Sequence, residues 1–125
     1  MGIDALIVDD EPDILFLIEM FIRGSNAGVR MAGSASNGPE ALALIEALDP
    51  MVVVLDQMMP GMSGLEVAEE IRRSRPDQLM ILCSAYLDEQ LRIAAREAGI
   101  DECIDKEQVH RIAEAIKSVA GRHAR

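Results

Sequence analysis

The sequence predicts one α/β domain of the (βα)5 type, a doubly wound three-layer sandwich around a parallel five-stranded sheet of order 2-1-3-4-5. Three observations lead there. Five short apolar runs alternate with five stretches in which apolar residues recur at helical period. The central runs are nearly continuous in Val, Ile and Leu, the pattern of strands covered on both faces. No internal repeat or low-complexity segment breaks the alternation. Parallel strands joined by helices need right-handed crossovers and two covered faces, so three layers follow.

The elements can be justified in turn. Ala5 to Val8 is a buried-type strand. Pro12 suits a first helical position, and Ile14, Leu17, Ile18, Phe21 and Ile22 then share one face. Val29 to Ala35 is weaker and edge-like, with polar and small residues interspersed. Asn37, Gly38 and Pro39 turn the chain into a helix that carries Ala41, Leu44, Ile45 and Leu48 inward. Met51 to Leu55 is the most hydrophobic run and reads as the central strand, with Met51 and Met80 in the core. Ser63 and Glu66 form a capping box, and Arg72, Arg73 and Arg75 bring that helix to its end before Pro76. Leu79 to Cys83 is the fourth strand. Asp88 caps the fourth helix, Leu91, Ala94, Ala95 and Ala98 face inward, and Gly99 stops it. Asp101 to Ile104 is a short fifth strand, and Val109, Ile112, Ala113 and Ile116 stripe the last helix. Residues 1–120 make the domain and 121–125 a tail.

The composition of the 125 residues narrows the function classes. Two Phe, one Tyr and no Trp leave an aliphatic core. A balance of 12 basic against 22 acidic residues gives −10, which argues against nonspecific binding to nucleic acid or an anionic membrane. Cys83 and Cys103 lie in apolar runs and read as two core thiols. His110 and His123 have no metal-like spacing around them and read as solvated. Neither a leader-like N-terminus nor an apolar run of membrane-spanning length is present, so a cytoplasmic location is expected.

Chemistry in such sheets gathers beyond the carboxyl ends of the strands, near the point where the strand order reverses. Asp9, Asp10 and Glu11 follow the first strand, Asp56 the third, Ser84 the fourth, and Asp105 and Lys106 the fifth. The predicted order crowds Asp9, Asp10 and Asp56 into one pocket, with Ser84 and Lys106 on its rim. Two carboxylates about 4 Å apart repel by roughly 4 kcal/mol at an effective dielectric of about 20. A small hard cation resolves this, and Mg²⁺ takes one or two carboxylates, keeps waters and accepts phosphate oxygens. Each residue alone has an ordinary explanation: a helix cap, a turn starter, a solvated lysine. Their joint placement at strand ends does not. Asp56 is thus read as a ligand and a nucleophile.

These residues resemble the receiver domain of bacterial two-component response regulators, whose fold is flavodoxin-like, over about residues 4 to 120. The likeness is carried by Val8, Asp9, Asp10 and Glu11, by the string Asp-x-x-Met-Pro-Gly-Met-Ser-Gly from Asp56 to Gly64, by Ser84 and Ala85, and by Lys106. The resemblance implies that Asp56 is the phosphoacceptor. Mg²⁺, with Mn²⁺ as a substitute, would be held directly by Asp10 and Asp56, through water by Asp9, and by the backbone carbonyl of Met58. Ser84 and Lys106 would hold the phosphoryl oxygens. The implied partners are a sensor histidine kinase or phosphotransfer protein and a downstream protein target, with no direct binding of nucleic acid or membrane and room for a homodimer. No enzymatic activity is expected beyond gain and loss of the domain's own phosphoryl group.

Two positions depart from the family pattern. Receivers mostly carry Tyr or Phe three residues before the lysine, and here that position is Cys103. Tyr86, two residues after Ser84, is the candidate substitute switch. The lysine is mostly followed by Pro, and here by Glu107. The Met58 side chain is expected to flank the site and limit water access.

Competing readings fit less well. An aspartyl-nucleophile phosphohydrolase needs Asp-x-Asp after the first strand, where this chain has Asp9, Asp10 and Glu11. A flavodoxin-like cofactor carrier needs a Ser/Thr/Gly-rich loop there, and Asp9 to Asp13 would repel a phosphate. A structural pseudo-receiver would not retain the whole set of acids, hydroxyl and lysine. Within the leading reading, a stand-alone receiver and the excised N-terminal receiver of a larger regulator with a DNA-binding output both fit the sequence.

Overall fold

The computed structural model describes residues 2–122. Its elements are β1 (Ile3–Val8), α1 (Pro12–Arg23), β2 (Val29–Ala35), α2 (Gly38–Leu48), β3 (Val52–Asp56), α3 (Gly64–Ser74), β4 (Leu79–Ser84), α4 (Glu89–Glu97), β5 (Glu102–Asp105), a 3₁₀ segment (Lys106–Arg111) and α5 (Ile112–Arg122). The strands pair in parallel in the order β2-β1-β3-β4-β5, as predicted. Chain direction reverses its march across the sheet between β1 and β3, which locates the crevice.

Alternate strand residues feed two cores. Leu6, Val8, Val53, Leu55, Met80 and Leu82 pack under α2, α3 and α4 against Ile45, Val67, Ile71 and Ala95. Ala5, Ile7, Val52, Val54, Ile81 and Cys83 pack under α1 and α5 against Ile18, Ile22, Ile112, Ile116 and Val119. Local signals set the helix starts. The side chains of Asn37, Ser63 and Asp88 accept the backbone N–H groups of Glu40, Glu66 and Leu91, and the Ser63 and Glu66 capping box is complete. Gly99 follows α4 with φ of +90°, a conformation that a Cβ disfavours.

Several expectations need correction. Met51 is not core but 48% exposed, because it lies in the bend before β3, its N–H tied to the Asp4 carbonyl at 2.9 Å. Pairing instead runs from Val52 through Asp56. Leu17 is 41% exposed; at about 100° per residue it falls at the rim of an arc centred on Ile18 and Ile22. Leu48 is 39% exposed because it lies against Gly33 of the edge strand β2, with no strand beyond it among the described residues. Met59, in the loop after β3, is buried. β4 and β5 each reach one residue further than predicted, to Ser84 and Asp105. The last helix does not begin as a regular helix. Val109 lies in the 3₁₀ segment, and Gly121 and Arg122 of the predicted tail continue α5. His110 is exposed with its ring edge against Phe21, and His123 lies outside the described residues.

Cys83 is buried and Cys103 half-buried, and both are free thiols. Burial pushes the Cys83 thiol up to about 12 and raises that of Cys103, so neither forms thiolate readily. Among the described residues no helix is long and apolar enough to cross a membrane.

Candidate functional site

Four strand ends build the site. β1 delivers Asp9, buried, followed by the half-buried Asp10 and the exposed Glu11. β3 ends on Asp56 and β4 on Ser84, both 1% exposed. Lys106 follows β5, and its side chain is 16% exposed. The structure thus moves Ser84 and Lys106 from the predicted rim into the interior of the site. An exposed lysine would have left the acids unpaired; burial of its stem carries the ammonium to them.

Lys106 Nζ lies 3.1 Å from Asp56 Oδ1, 3.3 Å from Asp9 Oδ2 and 3.4 Å from Glu11 Oε1. Burial disfavours the lysine's charge, but the hydrogen bond to Asp56 and the carboxylates of Asp9 and Asp56 outweigh it and hold Lys106 above the ordinary lysine range. Burial, reinforced by the Asp9 charge, pushes the Asp56 carboxyl up to about 6 against the pull of Lys106. Asp9 is also raised, chiefly by burial, against the Glu11 N–H and Lys106. One ammonium therefore does not neutralise the cluster.

A further observation shows where charge is still missing. Among the described residues Asp56 Oδ2 is buried with no hydrogen-bond partner, whereas Oδ1 accepts from Lys106 and from the Met58 N–H at 3.3 Å. Leaving such an acceptor unsatisfied costs about 1–3 kcal/mol, more when charged. Asp9, Asp10, Glu11 and Asp56 each offer an oxygen, all within 4.8 Å of one another. A hard divalent cation, bound by oxygens, fits that donor set and the orphaned oxygen.

The surrounding loops are fixed by their own bonds. Gln57 donates its N–H to the Cys83 carbonyl at 3.0 Å, accepts the Gly64 N–H at 3.1 Å and, through Oε1, the Leu65 N–H at 3.0 Å. It ties the loop after β3 to β4 and to the start of α3, a role that sequence reasoning missed. The amide beside Asp56 was the available signal. Ser84 Oγ accepts the Tyr86 N–H at 3.1 Å, while the Tyr86 side chain is 80% exposed. The Met58 side chain is 65% exposed beside the site. Glu107, in the position where most receivers carry Pro, supplies an N–H that Asp105 Oδ1 accepts at 2.8 Å, a bond proline could not make.

Residues 5–117 match the family model of the response regulator receiver domain. The chain belongs to that family. It is 36% identical over 121 residues to the chemotaxis protein CheY of Thermotoga maritima, covering 96% of this chain and 99% of that protein. It is 38% identical to a protein-glutamate methylesterase/protein-glutamine glutaminase of Agrobacterium fabrum, covering 82% of this chain but only 29% of that protein. The signal receiver domain of NarL from Mycobacterium tuberculosis superposes with a TM-score of 0.88 at 27% identity, covering 96% of this chain and 97% of that one. A receiver domain is a module of response regulators in two-component signalling.

Proposed function

We infer that this receiver domain accepts a phosphoryl group on Asp56 in a Mg²⁺-dependent reaction and that the modification switches its binding to a downstream protein. The observation that carries the reading is Asp56 Oδ2, buried and without a partner among the described residues, on a carboxylate whose Oδ1 lies 3.1 Å from the Lys106 ammonium that also pairs with Asp9. Asp10, Asp56 and the Met58 carbonyl would hold Mg²⁺ directly, with Asp9 acting through water and Mn²⁺ as a substitute. The bound cation would neutralise negative charge on the phosphoryl oxygens.

The chain's own residues account for the rest of the transfer. From a phosphohistidine of a sensor kinase or phosphotransfer protein, an Asp56 oxygen forms the new P–O bond as the donor's P–N bond breaks. The imidazole leaves with the bonding pair and is protonated by solvent. Lys106, held charged by its carboxylate partners, is a fixed positive charge and not the proton source. Transfer of this kind depends on positioning and charge neutralisation more than on covalent assistance. Ser84 accepts the Tyr86 N–H and so keeps its own hydroxyl proton free to donate to a phosphoryl oxygen. Cytoplasmic location and partner binding, a homodimer included, belong to the same reading.

Incubation with acetyl phosphate should add one phosphate by intact mass in Mg²⁺ and none in chelator. Equal uptake in both conditions would sink the metal requirement. The Ser84–Tyr86 bond gives a second expectation. Movement of Ser84 toward the phosphoryl group removes the partner of the Tyr86 N–H and repacks the loop, and the half-buried Cys103 has no ring to report it. Tyr86 is the only tyrosine and there is no tryptophan. Its emission or quencher accessibility should therefore change when beryllofluoride and Mg²⁺ are added. An unchanged signal accompanied by amide shifts through α4 and α5 would show a switch that bypasses Tyr86.

A further inference from the structure

The three carboxylates around Lys106 are not equivalent. An ammonium has three N–H donors, so Asp56, Asp9 and Glu11 use its full capacity. Asp9 and Asp56 are buried, whereas the Glu11 side chain is 60% exposed. Glu11 is also the N-cap of α1, yet its side chain makes no capping bond, while those of Asn37, Ser63 and Asp88 do. It turns instead to a lysine 95 residues away. Its N–H donates to Asp9 Oδ1 at 2.9 Å, and its carbonyl accepts from Ile14 and Leu15, both at 3.1 Å. One residue thus joins the acid pocket, the first turn of α1 and the end of β5.

We propose that Glu11 is a positioning residue that holds Lys106 in its resting place and releases it when Asp56 is modified, a role that rests on Asp56 being the phosphoacceptor. A phosphoryl group on Asp56 brings new oxygens within the ammonium's reach, and one of the three carboxylates must give way. Releasing Asp9 would leave a buried carboxylate with only the Glu11 N–H and the water-mediated cation to balance it. Releasing Glu11 returns a carboxylate to water at the cost of one exposed ion pair. Glu11 is therefore the partner exchanged, and its departure alters what anchors the start of α1. The ease of that exchange sets how readily the modified state forms.

The test compares Glu11→Gln, which removes the charge, with Glu11→Asp, which keeps the charge but shortens the reach and, like Asp88 in α4, can cap its helix. Lys106 and Lys117 are the only lysines, so their side-chain ammonium signals can be followed separately by ¹⁵N NMR. In metal-free protein both variants should shift the Lys106 signal and leave that of Lys117 in place. In saturating Mg²⁺, the midpoint for beryllofluoride should fall by roughly two- to five-fold in both, the worth of one exposed ion pair. A Glu11→Asp protein that behaves as wild type while Glu11→Gln does not would overturn the proposal, because charge and not contact would then govern. Unchanged midpoints in both variants would overturn it as well. Wild-type protein that binds no beryllofluoride would overturn the reading of Asp56 itself.

Discussion

Metal-free Asp56→Asn protein should be more stable than wild type at pH 7 by about 2–3 kcal/mol, and should lose that advantage on acidification. The carboxyl of Asp56 titrates at about 6 in the fold against an ordinary 3.8, burial being the main cause and Asp9 the second. At pH 7 the group is ionised in both the folded and unfolded states, and the fold carries the full penalty, about 1.4 kcal/mol per unit of pKa displacement. Below pH 4 it is protonated in both and the penalty vanishes. Wild-type stability attributable to this group is thus present at low pH and lost as pH rises from about 4 through 6. Asparagine has nothing to titrate, so its curve should lack that decline. Urea titrations in chelator from pH 4 to 7.5 measure the difference. Added Mg²⁺ should then stabilise wild type more than the variant, by mass action on the folded state. A variant less stable than wild type at pH 7 in chelator would show that Asp56 is not strained by its surroundings.

Gly64→Ala should destabilise the domain by about 2–4 kcal/mol and distort the site with it. A Cβ at residue 64 would lie 2.6 Å from the Asp56 carbonyl oxygen and 2.8 Å from Leu82 Cδ1. Leu82 can repack, but the carbonyl is backbone of β3, so either Asp56 or the first turn of α3 must shift. Overpacking in a well-filled interior typically costs about 1–3 kcal/mol, and the Gly64 N–H bond to the Gln57 carbonyl would be strained as well. Thermal unfolding reports the loss. The same variant should bind Mg²⁺ more weakly, since Asp56 sits at the contact. A Gly64→Ala protein with wild-type stability would mean that the loop from Asp56 to Gly64 tolerates the displacement that the packing forbids.

What could be read in the sequence followed from how local its cause is. The Ser63 and Glu66 capping box, the helix start after Asn37, the cap at Asp88 and the stop at Gly99 depend on a few neighbouring residues, and all stand where predicted. The strand ends that carry Asp9, Asp56, Ser84 and Lys106 were legible because buried parallel strands are continuous apolar runs with abrupt polar ends. Met51, Leu17 and Leu48 were misplaced because their exposure depends on which helix or strand covers them, and no local pattern encodes that. The insertion of Lys106 between Asp9 and Asp56 depends on contacts spanning most of the chain. Glu11 looked like one more acid in a helix start, and its departure from capping duty emerges only beside the lysine. The 3₁₀ start before α5 was hidden by the helical spacing of Val109, Ile112 and Ile116.

The central claim is that Asp56, and no other carboxylate of the cluster, forms the acyl phosphate. Borohydride reduction tests it directly, because it cleaves an acyl phosphate and leaves homoserine in place of aspartate. After reaction with acetyl phosphate and Mg²⁺, reduction and tryptic digestion, Asp9 and Asp10 fall in a peptide ending no later than Arg23, and Asp56 in one beginning after Arg30. Homoserine at position 56, absent in chelator and absent from Asp56→Asn protein, is the result expected. Homoserine at position 9 or 10, or undiminished labelling of the Asp56→Asn protein, would contradict the account.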